Sequence, residues 1–81
     1  MKDTLESVLD QFRPGFDADG FDVTVDSVGA DGVVIVRIDH RPDACEECLI
    51  PDDMLGPMLK TAMQRAAPAV VQVELRHQRQ G

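Results

Sequence analysis

Residues 21–38 read FDVTVDSVGADGVVIVRI, and this stretch decides the fold. Apolar and polar side chains alternate over residues 21–28, which predicts a strand with one buried face and one face in water. Residues 33–38 are mostly β-branched and also favour a strand. Because a four-residue turn with two glycines, Gly29-Ala30-Asp31-Gly32, joins the two segments, the sequence predicts an antiparallel hairpin.

A helix is predicted before the hairpin. Apolar residues recur there at i, i+3, i+4 and i+7, namely Leu5, Val8, Leu9 and Phe12. This spacing predicts a helix from residue 3 or 4 to about residue 13, opened by a capping box of Asp3 and Glu6. We expect Pro14-Gly15 to end it.

A second helix and a third strand are predicted after the hairpin. Helical spacing returns in Leu55, Met58, Leu59, Ala62, Met63 and Ala66. We expect a helix capped by Asp52 or Asp53, irregular at Pro57 and ending near Ala67. A strand follows through residues 70–75, and residues 77–81 are expected to fray.

The order helix, strand, strand, helix, strand predicts one two-layer α+β domain over residues 1–81. Both helices are expected on one face of a three-stranded sheet. Strands two and three, joined by a helical crossover, are expected to run parallel. The chain is short, with 81 residues, so we expect no separate catalytic domain.

Charge and hydropathy narrow the classes of partner. The net charge is −7, with 14 acidic and 4 basic groups in residues 1–53 against 1 and 4 in residues 54–81. Such a chain is repelled by nucleic acids and anionic membranes. No apolar run is long enough to span a bilayer and no signal peptide is visible, so we expect a cytoplasmic protein.

The segment Cys45-Glu46-Glu47-Cys48 lies in the predicted loop over residues 39–53, at an edge of the domain. Two thiolates at this spacing can bind one metal centre, but they supply only half of a four-ligand set. A symmetric dimer would supply two more, or His40 and Asp43 could complete a zinc site. A metal-free pair packed in the loop and a thiol oxidoreductase remain open, although the two glutamates disfavour thiolates unless a cation compensates.

Several motifs together resemble the C-terminal domain of the NifU-like iron-sulfur cluster scaffold proteins. The segment RPGFDADGFDV at residues 13–23, the hairpin, and Cys45 and Cys48 are similar to that family. The spacing from Cys48 to Pro68 and the valine-rich last strand are similar as well. The resemblance covers about residues 5–75.

The resemblance implies the same fold and a role in assembling or delivering iron-sulfur clusters. On this interpretation we expect no enzymatic activity. It further implies that Cys45 and Cys48 of two chains hold a four-iron, four-sulfur cluster between them for transfer to apo client proteins. The chain is then expected to be a homodimer when loaded. The alternative is an interaction module of the same fold, whose cysteine pair binds a structural zinc or no metal.

Overall fold

The computed structural model describes residues 1–79 and has an α+β architecture. Its elements in chain order are α1 (Lys2–Leu9), α2 (Arg13–Asp19), β1 (Phe21–Val28), β2 (Val33–His40), a 3-10 turn (Glu46–Cys48), α3 (Asp52–Ala66) and β3 (Gln72–Arg79). The sheet order is β1-β2-β3, with β1 and β2 antiparallel and β2 and β3 parallel. The predicted fold class, the hairpin and the direction of the last strand are confirmed.

The core lies between one face of the sheet and the helices. The strands contribute Phe21, Val23, Val25, Val34, Val36, Ile38 and Val73, and the helices contribute Leu5, Leu9, Phe16, Leu55, Leu59 and Met63. The alternate residues of β1 and β2, including Asp22 and Arg37, are exposed or half-buried on the opposite face. Each large apolar side chain removed from water contributes about 1.5–3 kcal/mol, so this single layer of contacts fixes the helices on the sheet.

The predicted first helix is two helices in the structure, so the prediction that Pro14-Gly15 ends a helix is wrong. Pro14 lies in the first turn of α2, where its missing N–H needs no helical partner and its fixed φ suits the helix. The chain turns between α1 and α2, which allows Phe16 to reach the core. Gly20 ends α2 with φ +94°, a left-handed conformation that glycine adopts without strain.

The predicted capping box of Asp3 and Glu6 does not form. Helix α1 begins at Lys2, and no side chain caps it. The Glu6 carboxylate instead accepts a hydrogen bond from the Val25 N–H (2.6 Å). The Arg13 guanidinium donates to the Val23 carbonyl (3.0 Å) and pairs with Glu6 (3.3 Å). Because β1 is an edge strand, these two side chains supply partners that a further strand would otherwise provide.

The second predicted helix is α3, with small differences at its ends. It begins one residue after Pro51, so neither Asp52 nor Asp53 is its cap, and Pro57 lies inside it. It ends at Ala66, because Ala67 precedes Pro68 and takes an extended conformation. Strand β3 continues to Arg79, so the predicted fraying is wrong for residues 77–79, whereas residues 80–81 lie outside the described part of the chain.

Candidate cysteine site

The loop between β2 and α3 is attached to the junction of α2 and β1. The Cys45 N–H donates to the Asp19 carbonyl (2.8 Å), and the Arg41 N–H donates to the Gly20 carbonyl (3.0 Å). The backbone of Ala44 lies directly against Gly20, since a Cβ built on that glycine would be 2.6 Å from the Ala44 Cα. The glycine therefore allows the loop to approach the start of the sheet.

The Arg41 side chain adds charged contacts to this attachment. Its guanidinium donates to the carboxylates of Asp17 on α2 and Asp22 on β1. The hydrogen bond to Asp17, and to a smaller extent the one to Asp22, raises the pKa of Arg41 above its ordinary value. The guanidinium is thus a permanent cation that joins two elements beside the loop.

The two cysteines, which the sequence singles out as the candidate ligands, lie together on the surface. Their Sγ atoms are joined as a disulfide (2.11 Å), and their Cα atoms are 5.3 Å apart. The Cys48 N–H donates to the Cys45 carbonyl (3.0 Å), which closes the 3-10 turn between them. Both residues are exposed, so a reductant can reach the disulfide. Once the disulfide is reduced, a metal ion or another protein can reach the two sulfur atoms.

A chain of hydrogen-bonded side chains runs beside this turn, and sequence reasoning missed it. His40 Nδ1 lies 2.8 Å from a Glu46 carboxylate oxygen, and His40 Nε2 lies 2.7 Å from His77 Nδ1. His77 Nε2 in turn lies 2.8 Å from an Asp52 carboxylate oxygen. We call these four residues the histidine relay.

His40, which the sequence offered as an additional zinc ligand, is part of the histidine relay. His40 is only 7% exposed, and both of its ring nitrogens already have partners. Asp43 is exposed in the loop. Within residues 1–79 no group of three histidine, cysteine or acidic side chains is arranged to hold a metal ion. The structure therefore does not bring His40 and Asp43 together with the cysteines as a four-ligand set.

The sequence places a histidine in each of the two strands, but whether the two side chains meet depends on the register of the strands. His40 continues the buried alternation of Val34, Val36 and Ile38 on β2. His77 is placed next to it because Ile38 and His77 are partners in the parallel pairing of β2 and β3. A prediction of strand direction does not give that register.

Glu46 and Glu47, the two acidic residues between the cysteines, have different surroundings in the structure. Glu46, which would oppose thiolate formation, contacts His40 through one carboxylate oxygen and lies 3.5 Å from the Arg79 guanidinium through the other. Glu47 is exposed and has no hydrogen-bond or ion-pair partner among the described residues. One cation, the Arg79 guanidinium, therefore faces one of the two glutamates, which is a compensation that the sequence alone did not supply.

An apolar groove lies next to Cys48, between α2 and α3. It has a volume of about 340 Å³, and its apolar lining comes from Phe12, Phe16, Leu49, Ile50 and Met58. Met58 and the neighbouring Met54 on α3 are 41% and 59% exposed. The cysteine pair thus borders apolar as well as acidic surface.

The fold and this site define a small α+β domain with an exposed cysteine pair between β2 and α3. No protein-family model matches the chain, and no curated protein matches it significantly. None of the helices over residues 1–79 has the length and apolar character needed to cross a membrane.

Proposed function

We propose that this chain is a non-enzymatic iron-sulfur cluster scaffold or carrier, in which Cys45 and Cys48 bind a labile cluster shared by two chains. The observation that carries the proposal is that both sulfur atoms are exposed and adjacent at one edge of the domain. The resemblance of residues 5–75 to NifU-like C-terminal domains supports the same role. The cluster is the cargo, and apo iron-sulfur proteins are the proposed recipients.

The chemistry of the donor set fits such a cargo. Reduction of the disulfide by two electrons and two protons gives two thiols, and loss of their protons gives two thiolates. Two chains related by a twofold axis then supply four thiolates, the number that a four-iron, four-sulfur cluster takes. A second copy of the chain would also cover part of the apolar groove beside Cys48. We place this function in the cytoplasm, where cysteine pairs are kept reduced.

Anaerobic reconstitution tests the proposal. The reduced protein, incubated with ferrous iron and sulfide, is expected to become brown, to bind about two iron atoms per chain and to sediment as a dimer. Cys45→Ser and Cys48→Ser are expected to abolish the colour. Asp43→Ser is the matched control, because it changes an exposed residue of the same loop without removing a sulfur. A colourless wild-type protein, or equal colour in Cys45→Ser, would refute the proposal.

The second candidate is an interaction module with a structural zinc or a metal-free cysteine pair. The metal-free form is favoured by the direct Sγ–Sγ bond between Cys45 and Cys48, which needs no further ligand, whereas a zinc site would require the reduced thiolates. Elemental analysis of protein purified without oxygen separates the candidates. Iron with sulfide supports the scaffold, half or one equivalent of zinc per chain supports a zinc site, and neither metal together with failed reconstitution supports the metal-free module.

A further inference from the structure

We propose that β3 pairs with β3 of a second copy of this chain, antiparallel about a twofold axis at Leu75, and that Glu74 and Arg76 set the register of the pairing. The two three-stranded sheets then form one six-stranded sheet. The inference goes beyond the proposed function, because it concerns the metal-free chain and uses neither cysteine.

The two edges of the sheet are protected differently. Strand β1 has the side chains of Glu6 and Arg13 bonded to its outer backbone groups. Strand β3 is the other edge, and in the described part of the chain no side chain is hydrogen-bonded to the backbone of Gln72–Arg79. The Gln64 amide donates to the Val70 carbonyl, which lies before the strand begins. An edge whose backbone groups lack partners is a template for a further strand.

The outer backbone groups of β3 belong to its odd-numbered residues. The Val33 carbonyl accepts from the Gly29 N–H on the β1 side of β2 (2.8 Å), and the Gly32 carbonyl accepts from the Gln72 N–H on the β3 side (3.5 Å). Backbone groups of successive strand residues point to opposite sides, so the following residues of β3 direct theirs away from β2: Val73, Leu75, His77 and Arg79. An antiparallel copy must place such residues opposite one another, so the register can change only in steps of two residues.

One of these registers is favoured by charge. With Leu75 on the twofold axis, Glu74 lies opposite the second copy's Arg76, and Arg76 lies opposite the second copy's Glu74. A shift of two residues in one direction places Glu74 opposite Glu74, and a shift in the other direction places Arg76 opposite Arg76. Opposite charges in directly facing positions stabilise a sheet, and like charges destabilise it. These pairs are not hydrogen-bonded to each other, so their side chains approach most closely.

Both charged side chains are accessible for this pairing. Glu74 is exposed and has no ion-pair or hydrogen-bond partner among the residues that the structure describes. The Arg76 side chain is 60% exposed and lies 3.2 Å from Asp26 on β1, which also has Arg37 at 3.7 Å. Because a guanidinium has five N–H donors, Arg76 can bind a glutamate of the copy and keep Asp26. On the core side of the sheet, the half-buried Leu75 meets its counterpart and loses contact with water.

This dimer is distinct from a pair of chains that share a cluster. Arg79, the last residue of β3, lies 3.5 Å from Glu46 in the cysteine turn. In the proposed register Arg79 lies opposite Val71 of the copy, before the other end of the joined strands. A strand of eight residues is about 25 Å long, so the two cysteine turns lie at opposite ends of the joined strands. Pairing through β3 and binding through Cys45 and Cys48 therefore use different surfaces.

Sedimentation of the metal-free protein tests the dimer. A single pair of edge strands buries little apolar surface, so we expect monomers at low concentration and dimers as the concentration rises to about 1 mM. Cys45→Ser/Cys48→Ser should dimerise in the same way, whatever the outcome of iron-sulfur reconstitution. A wild-type chain that stays monomeric over this range would overturn the proposal, as would a dimer that is lost in Cys45→Ser/Cys48→Ser.

Exchange of charges tests the register. Glu74→Lys alone and Arg76→Glu alone each place like charges opposite one another in both cross-strand pairs, so we expect the dissociation constant to rise at least about tenfold. An equimolar mixture of the two variants should dimerise like the wild type, because each chain then meets opposite charges on the other. Asp3→Lys, an equal charge reversal on α1, is the control and should change nothing. A mixture that dimerises no better than its components would contradict the register.

Cross-linking tests the same register at exposed, uncharged positions. Gln72 lies opposite the second copy's Gln78, with Cα atoms about 4.5 Å apart, a distance that a disulfide can span. In the Cys45→Ser/Cys48→Ser background, oxidation of a mixture of Gln72→Cys and Gln78→Cys should give a linked dimer. Gln72→Cys alone is the control, because its two copies lie about 20 Å apart and should link at least about tenfold more slowly. Equal rates of linking would overturn the proposal.

Discussion

The backbone N–H of Cys45 and the carbonyl oxygen of Asp19 form a 2.8 Å hydrogen bond, which attaches the first residue of the C-x-x-C motif to the last turn of α2. This contact brings the cysteine loop back to the point where the sheet begins. Gly20, directly after Asp19, is in contact with Ala44, directly before Cys45. The position of the candidate site is therefore coupled to the conformation of a single glycine.

Gly20→Ala should destabilise the protein and loosen the cysteine loop. An alanine would have to adopt φ +94°, and its Cβ would lie 2.6 Å from the Ala44 Cα. We expect a loss of about 1–3 kcal/mol in the free energy of unfolding, measured by urea denaturation. Gly15→Ala is the control: it lies in α2 with open space around it, and it should be neutral or stabilising. Equal effects of the two variants would contradict this interpretation of the junction.

Glu6→Ala should weaken the protected edge of β1. The substitution removes the acceptor for the Val25 N–H and the ion-pair partner of Arg13. We expect the free energy of unfolding to fall by about 1–3 kcal/mol and the chain to aggregate more readily, because the strand edge becomes available. Ser7→Ala, at an exposed position of the same helix, should change the stability by less than about 0.5 kcal/mol. Thermal unfolding with light scattering measures both effects.

Pro57→Ala should stabilise α3. Proline at this position cannot donate the helical hydrogen bond to the Asp53 carbonyl, and its ring crowds the preceding turn. We expect a gain of about 1–3 kcal/mol, reduced by the greater freedom of the unfolded chain. Pro42→Ala, in the exposed loop, has no helix to restore and should be neutral or slightly destabilising. Denaturant midpoints of the two variants give the comparison, and a destabilised Pro57→Ala would show that the proline is required by packing.

Glu47→Gln should increase the reactivity of the reduced cysteines. The Glu47 carboxylate is exposed beside Cys48 and has no partner within residues 1–79, so its charge opposes thiolate formation directly. We expect alkylation at neutral pH to become about two- to threefold faster at low ionic strength, and the gain to shrink in high salt. Asp3→Asn, which removes an exposed charge from α1, should leave the rate unchanged. Equal acceleration in both variants would mean that net charge alone controls the thiols.

Local sequence pattern was sufficient for much of the fold. The alternation in residues 21–28 and the β-branched run after Gly32 predicted β1 and β2, because a hairpin is formed by neighbouring residues. Helix α3 was predicted from its apolar spacing, because a helix is also formed by residues that are close in the sequence. Pro14 misled the prediction, since proline is compatible with both the end of one helix and the first turn of the next.

For the candidate site, too, some features follow from the local sequence and others only from the tertiary structure. The sequence by itself determined that Cys45 and Cys48 lie in one turn between β2 and α3, because their separation of three residues is a local property. Only the tertiary structure decided that Glu6 and Arg13 protect β1 and that His40 meets His77, 37 residues away. Those contacts depend on strand order and register, which are set by the packing of the whole core and not by any short segment.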